Sequence, residues 1–100
     1  MPFTPTDIAA VAKNARAAHA VIEHAANVGL PMPHTVTVHE GDEPTSFQFD
    51  SLVELTEWSR WTEQPITEHE GQAGAIHHYV HATELDHAIK CVAITWPGAK

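Results

Sequence analysis

One cysteine, one tyrosine and only five lysine or arginine residues in a chain of one hundred are the scarcities that bound this sequence. A lone Cys91 closes no intramolecular disulfide, and its setting, Ile89-Lys90-Cys91-Val92-Ala93-Ile94, is that of a strand interior, where a thiol acts as a small hydrophobe. No apolar run approaches the ~18 residues needed to cross a bilayer. The opening Met1-Pro2-Phe3-Thr4-Pro5 has neither a basic nor an apolar leader segment, so a cytoplasmic protein without a membrane partner is expected. The sequence also has no G-x-S-x-G elbow, no phosphate-binding glycine loop, no G-x-G-x-x-G, no His-Glu-x-x-His and no cysteine pair. Neither enzymatic activity nor a cofactor is expected.

What is present has globular proportions. With 43% apolar and 18% charged residues, the chain can bury a core, and its length matches one domain over residues 1–100. Net charge is −8, unevenly spread. Residues 1–39 are balanced, whereas residues 40–86 carry eleven acids against Arg60 alone, giving −10. Such a surface repels phosphate backbones and attracts a basic protein, so direct nucleic-acid binding is not expected. Nine histidines are the most unusual count, and five of them lie between His69 and His87. Because histidine ionises near pH 6.5, their protonation cancels most of the negative charge below about pH 6.

Turn and cap residues divide the chain. Thr4-Pro5-Thr6-Asp7 is a helix start, with Thr4 as N-cap and proline at the first helical position. Ile8, Val11, Ala15, Ala18, Ile22 and Ala25 form one apolar stripe of a helix ending near Val28, where Gly29 supplies the terminating position. Two segments then alternate with period two, residues 34–39 and 46–50, joined by the acidic turn around Glu40, Asp42 and Glu43; they predict a hairpin whose Val36, Val38, Phe47 and Phe49 face the core. Ser51-Leu52-Val53-Glu54 is a capping box opening a second helix to about Thr62. Leu52, Leu55, Trp58 and Trp61 share its apolar arc, opposite Thr56, Glu57 and Arg60. Three strands follow, over residues 66–70, 75–82 and 88–96. The order α-β-β-α-β-β-β predicts an α+β two-layer sandwich, an antiparallel sheet with two helices on one face.

Two sets of residues are candidates for function. The acids Glu40, Asp42, Glu43 and Glu57 form a surface suited to a basic partner. Trp61 is either core or an interface anchor, since tryptophan is enriched at binding hot spots. The second set depends on register. If Gly71 to Gly74 form the loop of a hairpin, Glu70 opposes Ala75 and Glu68 opposes His77, which brings Glu68, Glu70, His77 and His81 to one strand face as candidate divalent-metal ligands.

The segment Leu30-Pro31-Met32-Pro33 through Phe47-Gln48-Phe49-Asp50-Ser51-Leu52, with Glu54-Leu55-Thr56-Glu57-Trp58 after it, resembles small proteins of actinobacteria and their phages. The resemblance covers the middle half of the chain and implies no activity and no catalytic residues. The expected function is a non-catalytic acidic interaction module, a phage or mobile-element accessory protein that binds a basic protein, mimics nucleic acid or pairs with itself as a homodimer. The alternative is a metal- or small-ligand-binding domain built on the Glu/His strand face.

Overall fold

The computed structural model describes residues 5–39 and 43–96, with side chains from residue 9 onward. The expected N-cap Thr4 and the acidic turn residues Glu40 and Asp42 therefore lie outside the described residues.

Helix α1 spans Pro5–Asn27. Its end is a Schellman cap: Gly29 takes a positive φ of 85°, Gly29 N–H donates to the Ala26 carbonyl, and Leu30 N–H donates to the Ala25 carbonyl. The buried stripe is Ala18, Val21 and Ala25, with Ile22 packed beside it. Ala15, placed on the stripe by periodicity, is exposed, and Val21 takes its role. The i, i+3, i+7 spacing of 18, 21 and 25 is the equivalent helical row one residue away.

Strands β1 (Thr35–Thr37) and β2 (Thr45–Phe49) pair antiparallel as their alternation predicts, with Val36 opposite Phe47; Phe47 and Phe49 are buried and Val38 packs against the core, but Val36 of the edge strand is exposed. Helix α2 (Leu52–Thr62) starts at Ser51, whose hydroxyl accepts from Glu54 N–H at 3.2 Å. The reciprocal arm of the box lands one residue early, since the Glu54 carboxylate accepts from Asp50 N–H at 3.2 Å. At the other end Glu63 sits in the left-handed region at φ 58°, and the carbonyls of Ser59 and Arg60 are satisfied by Gln64 and Glu63. Thr56 and Thr62 return their hydroxyls to carbonyls four residues back, both at 2.8 Å, which is how threonine is accommodated inside a helix.

Strands β3 (Thr67–Glu70), β4 (Ile76–Glu84) and β5 (His87–Thr95) form an antiparallel meander, with a short 3-10 turn at Gln72–Gly74 in the first connection. Leu85 and Asp86 both have positive φ, 51° and 62°, the pattern of a two-residue type I′ hairpin turn.

The protein thus has the α+β order read from its sequence, with a five-stranded sheet in the order β1-β2-β5-β4-β3. One pairing departs from the expected antiparallel sheet. β5, the last strand in the chain, lies at the centre beside β2 and runs parallel to it, Phe47 opposite Cys91 and Phe49 opposite Ala93. Short connections favour antiparallel neighbours only for consecutive strands, and β2 and β5 are not consecutive. The central position suits β5 because its residues are apolar on both faces: Ile89, Cys91 and Ala93 towards the helices, Val92 away from them.

Both helices cover one face. The core unites Ala18, Val21 and Ala25 of α1, Leu55 and Trp58 of α2, and Phe47, Phe49, Val80, Ile89, Cys91 and Ala93 of the sheet. Trp58 is its centre, 0% exposed, with ring centroids 5.5 Å from Phe47, 5.3 Å from Phe49 and 5.4 Å from Trp61. Its indole N–H donates to the Pro31 carbonyl at 2.7 Å, so the largest buried side chain leaves no unpaired donor.

Candidate functional site

The residues singled out by spacing do not assemble as the sequence implies. The connection between β3 and β4 comprises residues 71–75, because Ala75 is buried within it, donating to the Gln72 carbonyl and accepting from Gly71 N–H at 2.8 Å. Glu70 therefore opposes Ile76 instead of Ala75, and Glu68 opposes His78 instead of His77. A slip of one residue exchanges the faces of a strand. Glu68 and Glu70 turn to the helix-covered side with Ile76, His78 and Val80, while His77 and His81 lie on the open face with His69 and Tyr79. The four-residue set Glu68, Glu70, His77 and His81 is split between two faces. Among the described residues no three histidine, cysteine, aspartate or glutamate side chains converge as metal ligands.

The register builds a different constellation, which periodicity did not mark. His78 is 4% exposed and spans three strands: its Nε2 is 2.9 Å from Thr95 Oγ1 on β5, and its Nδ1 is 3.4 Å from Glu68 Oε1 on β3. Among the described residues Nδ1 is the buried side-chain nitrogen or oxygen left without a hydrogen bond. Carboxylate, imidazole and hydroxyl stand here in the order of a nucleophilic relay, with 3.4 Å and no hydrogen bond between carboxylate and imidazole. His78 thus bonds to Thr95 of β5 and stands beside the β3 carboxylate without a hydrogen bond to it. Glu68 and Glu70 line an open cleft with Gly74 and Ile76. The sequence signal for it was the placement of His78 between Ile76 and Val80 on an apolar face.

On the open face, the rings of His77, Tyr79 and His81 stack at 6.0 and 6.1 Å, and the Lys90 ammonium lies 5.6 Å from the Tyr79 ring centroid, a cation–π contact between two half-buried side chains. Gly71 gives His77 its room, since a Cβ there would meet the imidazole at 2.7 Å. The outward positions of all five strands carry no carboxylate, and Lys90 is the lysine or arginine among them; Asp50, just past β2, lines a cleft on this side with Gln48, Val92 and Ile94.

The binding candidates are dispersed. Glu43 pairs with His39 at 3.3 Å, and Glu57 lies 3.9 Å from Arg60 on the exposed side of α2. Trp61 is half-buried, its ring 5.5 Å from His24 of α1 and edge-on to Trp58, so it closes the junction of the two helices. Further histidine–carboxylate pairs, His19 with Glu23 at 3.2 Å and His34 with Asp50 at 3.6 Å, are exposed. His87, within 2.6 Å of Thr45 Oγ1, has its pKa lowered from 6.5 by burial. Burial also pushes the Cys91 thiol up to about 12, which leaves it protonated and unreactive. No helix among the described residues is long and apolar enough to cross a membrane. No protein-family model, no curated protein and no solved structure matches this chain.

Proposed function

We propose that the protein is a non-catalytic interaction module that engages a basic partner through its acidic helix-covered side. The observation that carries this is the segregation of charge: the outward strand positions lack carboxylates, while Glu54, Glu57, Glu63, Glu68, Glu70 and Glu84 sit on the helices, the caps and the helix-facing strand positions. An excess of carboxylates on one side orients an approaching cationic surface and raises its association rate, in a manner that salt screens. Glu57 contributes to that side; Trp61 supports it by holding the helices together.

Native mass spectrometry of protein released gently at low salt tests this reading. A complex with a chain of high pI is expected, dissociating between about 50 and 300 mM salt and weakened by Glu57→Lys with Glu63→Lys. A chain that retains no partner at low salt, or a complex indifferent to both salt and charge reversal, overturns it. A metal-free homodimer as the sole species does so too.

A further inference from the structure

Resting on that reading, we propose that the free edge of β3 takes up an extended basic segment of the partner as a sixth strand, with lysine or arginine side chains at alternate positions over Glu68 and Glu70.

β3 ends the sheet on one side, and all four of its residues are exposed. The direction of its backbone groups follows from alternation in an antiparallel ladder. Gly71 N–H donates to the Ala75 carbonyl, which makes 71 and 75 a hydrogen-bonded pair, so His69 and Thr67 exchange bonds with His77 and Tyr79. The two-residue turn at Leu85-Asp86 gives the same parity from the far side of β4, committing Ile76, His78 and Val80 to β5. The N–H and C=O groups of Glu68 and Glu70 therefore point out of the sheet edge. These are the same two residues whose side chains share the helix-covered side and line the cleft with Gly74 and Ile76. A segment added here receives main-chain bonds from residues 68 and 70 and finds their carboxylates on one face, with Ile76 available to an aliphatic stem.

His78 supplies an independent indication of a cation. Its Nδ1 is buried without a hydrogen bond, and Glu68 Oε1 stands 3.4 Å away on a side chain 64% exposed. In the tautomer whose Nε2–H donates to Thr95 Oγ1, Nδ1 and Glu68 Oε1 are two acceptors that suit one ammonium or guanidinium donating to both; in the other, Nδ1–H faces the Glu68 carboxylate itself. A second copy of the chain does not fit this edge. Antiparallel pairing of two β3 strands through residues 68 and 70 sets glutamate against glutamate across the ladder, a like-charge arrangement that destabilises sheets.

The experiment titrates ¹⁵N-labelled full-length protein with the peptide acetyl-Thr-Lys-Val-Lys-Thr-amide and with its isomer acetyl-Lys-Lys-Val-Thr-Thr-amide. Composition and charge are equal, but only the first places both lysines on one strand face. The alternating peptide is expected to bind about tenfold more tightly, to slow hydrogen exchange at the Glu68 and Glu70 amides, and to lose that advantage in Glu68→Gln with Glu70→Gln. Both side chains are exposed, so the double variant keeps its fold. Equal binding of the two peptides, or unchanged exchange at 68 and 70, overturns the edge assignment while the native complex continues to decide the broader reading. Protection that depends on protein concentration without peptide overturns it in favour of self-pairing.

Discussion

Trp58 concentrates more of the fold than any other side chain. It fills the space between Phe47, Phe49 and Trp61, and its indole N–H occupies the Pro31 carbonyl. Trp58→Ala is expected to cost about 3–5 kcal/mol, a large share of the ~5–15 kcal/mol that holds such a domain together. Trp61→Ala, at a half-buried position, should cost clearly less; urea denaturation of the two variants checks the order. His87 adds a pH dependence whose sign is fixed by its surroundings. Burial lowers its pKa below 6.5, so the unfolded chain binds the proton more readily than the folded one. The stability associated with neutral His87 is fully present above pH 6.5 and is lost as pH falls through that value towards the lowered one. Melting temperatures between pH 7.5 and 5.5 should decline less steeply in His87→Gln than in the parent, and equal slopes would remove His87 as a cause.

Elements here are ended by backbone geometry as much as by sequence pattern. α1 stops at a glycine, which adopts the left-handed region freely. α2 stops at Glu63 in the same region, where a Cβ makes the conformation costly by roughly 1 kcal/mol. Glu63→Gly is therefore expected to raise stability by about 0.5–1 kcal/mol; a lowered melting temperature would contradict this account of the cap. The Ser51 cap, the Gly29 terminus and the apolar arc of α2 were legible because each depends on residues a turn or less apart. The face of β3 was not. Glycines at 71 and 74 mark a loop without stating its length, and the insertion of Ala75 into that loop reverses which side Glu68 and Glu70 occupy. Side-chain period in a strand is two, so an error of one is an error of face.

For the molecule as a whole, the segregation of charge makes association sensitive to acid. Nine histidines stand against a formal charge of −8 that counts them as neutral, and imidazole is the side-chain type that gains charge on mild acidification. A proton taken up on the open face lies opposite the acidic side, and one taken up at His19, His34 or His39 lies beside a carboxylate and offsets its charge. The association rate with a basic partner at low salt is expected to fall by about tenfold or more between pH 7.5 and 5.5. Stopped-flow measurements at two salt concentrations check it, and a rate independent of both pH and salt would exclude steering by the acidic side.

The order of elements, the Gly29 end of α1, the Ser51 start of α2, most of the core and the sign of the charge were written in local patterns, because helix and strand periodicity, capping and net charge are properties of near neighbours in the chain. Three features required distant segments to meet. β5 lies between β2 and β4 because its two-sided apolar sequence is best buried at the centre, a choice made between strands more than forty residues apart. His78 came to lie between Glu68 and Thr95 only once three strands were in register. And β3 became an edge whose backbone and carboxylates face the same approach, since whether a strand has one neighbour or two depends on where every other strand has gone.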